Sequence, residues 1–165
     1  MEYYVIDFQY HKHFSLFIMV KICSETYSYV NNDLSSYLET IFQSYPFQLD
    51  HFQKYAIEAI ETGNHCLVTA HTGSGKTLPA EYAIQYFHRM GKRTIYTAPI
   101  KALSNQKYHE FTRKFPDITF GILTGDMKFN PEADCLIMTT EILRNTLHQL
   151  SSQIRIQNTY LISSI

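Results

Sequence analysis

The sequence has no Trp, only 3 Cys, 6 Gly and 5 Pro among its 165 residues. Gly and Pro this sparse, beside a hydrophobic fraction of 45%, exclude low-complexity disorder and fibrous repeats. Cys23, Cys66 and Cys135 lie far apart with no Cys-x-x-Cys pair, which argues against a disulfide framework or a zinc site and fits a reducing cytoplasm or nucleus. The 8 His show no metal-ligand spacing beyond His11 and His13, two apart. No apolar run is long enough to span a bilayer: Phe14–Val20 is interrupted by Ser15, and no basic stretch precedes it. No signal peptide and no membrane span are expected. Charge is also scarce, at 18% with a net of -1, so no global field steers a polyanion.

What is present is unevenly spread. Residues 1–61 hold eight acids against three Lys/Arg, whereas residues 76–114 hold eight Lys/Arg against Glu81 and Glu110. A basic stretch of this kind can hold phosphates, although on charge alone it reads as a solvated helix face. Seven of the 13 Tyr fall in residues 1–45, where no sharp motif occurs. Tyr3–Phe8 and Phe14–Ile22 suit short strands. Asp33–Phe42 suits a helix with Leu34, Leu38, Ile41 and Phe42 at helical spacing. The region is expected to be an extension packed on the domain that follows, residues 46–165.

From Tyr45 the signals sharpen. Asp50 and Gln53 form a capping-box pattern that opens a helix carrying Phe52, Ala56, Ala59 and Ile60, stopped by Gly63. His65–Ala70 reads as a buried strand. It leads to a Gly-rich turn and a helix from about Gly75 to Met90. Thr94–Ala98, Ile118–Leu123, Cys135–Thr139 and Tyr160–Ile162 read as further strands. Lys101–Phe115 and Thr140–Leu150 read as helices, the latter capped by Thr139 or Thr140. This alternation predicts an α/β fold of the P-loop type, a parallel sheet with helices on both faces, incomplete at its C-terminus.

The sharpest local motif is Ala70-His71-Thr72-Gly73-Ser74-Gly75-Lys76-Thr77, between an expected strand and an expected helix. Gly73 and Gly75 let the backbone curl so that successive amides point at phosphate oxygens, and the helix dipole adds positive potential. Lys76 would reach the β- and γ-phosphates, and the Thr77 hydroxyl is placed to ligate Mg²⁺. These two are the candidate catalytic residues. Ala70 stands where the general pattern has its first Gly.

Taken in order, Phe47–Gln53, the loop at 70–77, Ala98–Lys107, Thr124–Asp126 and Met138–Arg144 resemble the first RecA-like domain of superfamily-two helicases. They resemble most the DExH-box RNA helicases of the superkiller-like, exosome-associated branch. The resemblance runs over about residues 45–150. It implies ATP and Mg²⁺ as cofactors, with Phe47, Gln53, His71, Thr72, Gly73, Ser74, Gly75, Lys76 and Thr77 around the nucleotide. Gln53 would meet the adenine edge. Phe47 would pack on the adenine face or serve as a hydrophobic staple for the helix behind it. It also implies that Pro99, Lys101, Ser104, Asn105, Gln106, Thr124, Gly125, Asp126, Thr139, Thr140, Glu141 and Arg144 touch a nucleic-acid backbone without reading bases. The implied partner is single-stranded RNA, with DNA left open, in the cytoplasm or nucleus. Lys107, Arg113 and Lys114 are expected on a solvated helix face.

The pattern then departs from the family. The resemblance calls next for a strand ending in Asp-Glu-x-His, but Tyr160–Ile162 is followed by Ser163, Ser164 and Ile165, and no Asp-Glu pair occurs in the 165 residues. A second RecA-like domain with its arginine finger would need about twice this length. Phosphoryl transfer needs metal, positioned water and compensating charge together. The expectation is therefore nucleotide and RNA binding with little hydrolysis and no unwinding alone, the missing C-terminal helicase domain being the partner of a fragment. Two alternatives stay open: a standalone non-catalytic nucleotide- and RNA-binding module, or a small P-loop NTPase of another type using Asp126.

Overall fold

The computed structural model describes residues 3–9, 17–23, 26–68, 71, 73–150 and 159–163. The chain divides into two compact units, Met1–Pro79 and Ala80–Ile165.

In the first unit, β1 (Tyr3–Gln9) and β2 (Phe17–Cys23) pair antiparallel, Tyr3 opposite Cys23 and Gln9 opposite Phe17. A 3-10 turn at Asn32–Leu34 starts where the Asn31 side chain accepts from the Asp33 amide, and α1 (Ser35–Gln43) follows at once. It buries Leu38 and Phe42, as the helical spacing requires. The next helix, α2 (His51–Glu61), opens with the expected capping box, the Asp50 amide donating to Gln53 Oε1 at 2.9 Å. It buries Phe52, Tyr55, Ala56, Ile57 and Ala59.

The strand expected over His65–Ala70 is not formed among the described residues. Leu67 makes one isolated bridge and is 37% exposed; positions 69 and 70 lie outside the description. A strand needs a ladder to satisfy its amides and carbonyls, and beyond the Leu67 bridge none forms along this run among the described residues.

The second unit holds a five-stranded sheet. Its strands are β3 (Arg93–Ala98), β4 (Phe120–Leu123), β5 (Lys128–Phe129), β6 (Cys135–Thr139) and β7 (Thr159–Ser163), in the order β5-β4-β6-β3-β7. Only β5 runs antiparallel to its neighbour. Three helices complete the fold: α3 (Thr77–Arg89), which begins in the first unit, α4 (Lys101–Lys114) and α5 (Thr140–Leu150). Alternation along the strands sends Tyr96, Ala98, Phe120, Cys135 and Ile137 to one face, packed with Ile84 of α3 and Phe111 of α4. Leu136 and Met138 point to the other face, under Leu143 of α5. Helices therefore cover both faces of a mostly parallel sheet, as the sequence predicts. The thiol of Cys135 is fully buried in the first of these layers, and burial pushes it up to about 12.

Two features pin the sheet's far end. A Cβ on Gly121 would stand 2.0 Å from the Asn130 carbonyl, and Asn130 itself adopts φ 43°, so the β4–β5 turn fits only a residue without a side chain there. Asp134 accepts from the Thr119 amide at 3.0 Å and hydroxyl at 2.7 Å, and Arg93 Nε donates to the Ala133 carbonyl at 3.1 Å. No helix among the described residues is long and apolar enough to cross a membrane.

Candidate functional site

The loop before α3 has the curl that the glycine positions call for. Gly73 and Gly75 take φ values of 85° and 83°. Gly75 has a second constraint, since a Cβ there would come within 2.6 Å of Gln53 Nε2. Gln53, buried at the start of α2, donates through that nitrogen to the Gly75 carbonyl at 3.2 Å while its oxygen caps the helix. Both halves of its amide are thus engaged, and contact with an adenine edge requires exchange of the Gly75 bond.

Lys76 turns back on its own loop, donating to the His71 carbonyl at 3.2 Å, which the Ser74 amide also reaches at 3.3 Å. The Ser74 hydroxyl is buried with no hydrogen-bond partner among the described residues. A buried hydroxyl without a hydrogen-bond partner among the described residues, a lysine folded onto the loop's own carbonyl, and a helix N-terminus opening at Thr77 suit a phosphate group. Thr72 lies outside the described residues. Phe47 is 53% exposed, its ring 5.8 Å from that of Tyr45, an aromatic neighbour that sequence reasoning passed over although it lies two residues away. Among the described residues no group of three His, Cys, Asp or Glu side chains is arranged for a metal.

The second set of expected residues gathers at the ends of β3, β4 and β6. Lys101, on the first turn of α4, pairs with Asp126 at 3.1 Å, and the buried Thr124 donates its hydroxyl to the same carboxylate oxygen at 2.9 Å. The Lys101 hydrogen bond, then that of Thr124, hold the Asp126 carboxyl below its ordinary value. The Gly125 Cα faces Lys101 closely enough that a Cβ would lie 3.5 Å from its ammonium. Ser104 is fully buried and donates back to the Ile100 carbonyl at 3.3 Å, while Asn105 keeps a buried Oδ1 without a hydrogen-bond partner among the described residues. Thr139 caps α5, accepting from the Ile142 amide at 3.4 Å, and the Thr140 hydroxyl donates to the Ala98 carbonyl at 3.4 Å. Pro99, Gln106, Glu141 and Arg144 are exposed.

Of the three basic residues expected on a solvated face, Arg113 is exposed. Lys114 is half-exposed and pairs with Glu81 at 2.7 Å. Lys107 departs from the expectation: its side chain is only 12% exposed, bonded to Glu110 at 2.8 Å with its ammonium 5.4 Å from the Phe111 ring. Its methylene stem buries while the head finds an acid one turn on. At the end of β7, the Thr97 hydroxyl donates to Ser163 Oγ at 3.0 Å, a pairing between residues 66 positions apart that sequence reasoning missed.

The family model of the DEAD/DEAH box helicases matches residues 50–163. The chain belongs to that family. Its sheet, parallel but for one edge strand and covered by helices on both faces, is the RecA-like architecture of such helicases. The chain is similar to the antiviral helicase SKI2 of Saccharomyces cerevisiae, with 54% identity over 113 residues, covering 68% of this chain and 9% of that protein. It is similar to the human exosome RNA helicase MTR4, with 51% identity over 113 residues, covering 68% of this chain and 11% of that protein. The mRNA transport homolog 4 of Caenorhabditis elegans is 56% identical over 105 residues, covering 64% and 10% respectively. The chain thus spans about a tenth of the length of the curated relatives it matches.

Proposed function

We propose that this chain is the ATP- and RNA-binding part of an ATP-dependent RNA helicase. Residues 46–165 form the helicase ATP-binding domain and residues 1–45 an aromatic-rich extension. The observation that carries this reading is the curled loop at 73–77 before α3, with Gly73 and Gly75 at positive φ, a Ser74 hydroxyl without a hydrogen-bond partner among the described residues, and Lys76 folded onto the His71 carbonyl. Lys76 would neutralise phosphate charge, the amides of Gly73–Thr77 would cradle phosphate oxygens, and the Thr77 hydroxyl would be one oxygen ligand of a nucleotide-held Mg²⁺. Bound Mg²⁺ would screen the phosphate charge of ATP.

Nucleic acid would lie along the exposed Lys101, Gln106 and Arg144, with backbone contacts that do not depend on sequence. RNA is favoured because two of the relatives quoted above carry an RNA role in their names, exosome RNA helicase and mRNA transport homolog. The alternative that uses Asp126 as a metal ligand would set a cation in competition with the Lys101 ammonium, 3.1 Å from one of its carboxylate oxygens. An intracellular setting, cytoplasmic or nuclear, follows from this reading. With no Asp-Glu pair in its 165 residues, the polypeptide by itself should show at most trace ATP turnover and no unwinding.

Isothermal titration of ADP into the wild type and Lys76→Ala tests the site. Loss of a charge-assisted bond to phosphate predicts an affinity drop of about tenfold or more. Equal affinities would remove the nucleotide from this loop, and vigorous hydrolysis by the pure chain would overturn the non-catalytic part of the reading.

A further inference from the structure

Glu58 lies in the last turn of α2, 2% exposed, and no ion pair to it occurs among the described residues. Its carboxylate is instead surrounded by neutral donors from one short segment. Tyr27 Oη donates to Oε2 at 2.9 Å, and the amides of Val30 and Asn31 both donate to Oε1, at 2.8 and 2.9 Å. One turn earlier, Tyr55 Oη accepts from the Ser28 amide at 3.1 Å and donates to the Thr26 carbonyl at 3.2 Å. The Tyr27 ring packs edge-on to Tyr55 at 4.8 Å and to Phe42 at 5.5 Å, and the Lys54 ammonium stands over both the Tyr27 and Phe42 rings.

A buried carboxylate without a cation is costly, and apolar residues would fill the same space more cheaply. What the carboxylate adds is direction. Five hydrogen bonds fix one register of residues 26–31 along α2, where aromatic packing alone would tolerate slippage.

The same helix holds the nucleotide loop by its other side. Gln53 grips the Gly75 carbonyl. Five residues separate Gln53 from Glu58, so their side chains leave the helix about 140° apart and about 7.5 Å apart along its axis. Segment 26–31 and the phosphate loop therefore grip one rod from two sides.

We propose that Glu58, with residues 26–31, is a positioning device for the phosphate loop: by clasping α2 it sets where Gln53 holds Gly75, and hence the loop's fitness for nucleotide. This rests on the reading of residues 71–77 as a nucleotide site. The Glu58→Gln carboxamide turns one acceptor into a donor that faces donors, and Tyr27→Phe deletes a single bond while keeping the ring.

The test measures the dissociation constant of a fluorescent ADP on the full chain, at a temperature where every variant is fully folded by circular dichroism, together with hydrogen exchange at the amides of 73–78. Glu58→Gln should weaken ADP binding about fivefold and speed exchange in the loop, and Tyr27→Phe should do the same about threefold. Ile122→Val, buried in the sheet, should lower the melting temperature and leave the dissociation constant unchanged. If Glu58→Gln does not fold, Tyr27→Phe carries the test. Unchanged ADP affinity in the clasp variants, with binding lost in Lys76→Ala, overturns the clasp alone. Unchanged affinity in Lys76→Ala overturns the nucleotide site and the clasp with it.

Discussion

The phosphate loop and the corner formed by Lys101, Thr124 and Asp126 are both polar, yet they are finished to different degrees. In the loop, Lys76 folds back onto the His71 carbonyl, the Ser74 hydroxyl has no hydrogen-bond partner among the described residues, and two glycines hold φ near 85°. In the corner, an ammonium, a hydroxyl and a carboxylate bond to one another, and Ser104 closes on its own helix, while Asn105 Oδ1 has no partner among the described residues. A ligand completes the first and must compete with existing partners at the second. Binding at the loop should be tight and depend on particular atoms, whereas binding at the corner should be weaker and screened by salt.

The largest effect that would break this contrast is with Lys76→Ala. It should cut ADP affinity about 10- to 100-fold and leave the affinity for a single-stranded RNA 12-mer nearly unchanged, read by titration calorimetry and fluorescence anisotropy. Equal losses for both ligands would show the two sites to be one. Next comes Gly75→Ala, which places a Cβ 2.6 Å from Gln53 Nε2 on a residue at φ 83°. We expect about a tenfold loss of ADP affinity with the melting temperature reduced by a few degrees. A variant that binds as the wild type would mean the loop does not need this curl.

Lys101→Ala should weaken RNA binding a fewfold and make the plot of log affinity against log salt shallower by about one unit or less, with ADP binding untouched. An unchanged salt slope would take Lys101 off the nucleic-acid path.

The smallest effect is on acid stability. The Lys101 and Thr124 bonds lower the Asp126 carboxyl. For Asp134, burial alone would raise the carboxyl, but the Thr119 hydroxyl and amide bring it below its ordinary value. Both groups therefore stabilise the fold above the usual carboxylate value of about 3.9, and that contribution is lost as pH falls through their lower native values. Asp126→Asn and Asp134→Asn should each flatten the fall of melting temperature between pH 5 and pH 3; curves parallel to the wild type would show these bonds to be without consequence.

Much of this was legible in the sequence because it rests on local periodicity. Cys135–Thr139 and Thr140–Leu150 have the bounds that the pattern predicts, with Thr139, one of the two expected caps, accepting from the Ile142 amide, and the capping box at Asp50 and Gln53 forms as spelled. What escaped depends on partners far away in the chain. The run after His65 has strand composition, but among the described residues it shows a single bridge at Leu67 and no ladder. The two-residue strand β5 exists only because Gly121 lets Asn130 approach. Glu58 spells a surface helix position, and nothing near it announces that residues 27 to 31 places earlier will bury it. Lys107 likewise reads as solvated until Phe111 and Glu110 lie beside it.

The buried Cys135 turns the sheet into its own stopwatch. A thiol sealed at the junction of β6 and its neighbours, and held almost wholly protonated near neutrality, is closed to maleimide until the strands part. In a chain whose Cys23 and Cys66 are replaced by serine, the rate of alkylation at that single remaining thiol then clocks how often the strands around it part, without any need for a ligand.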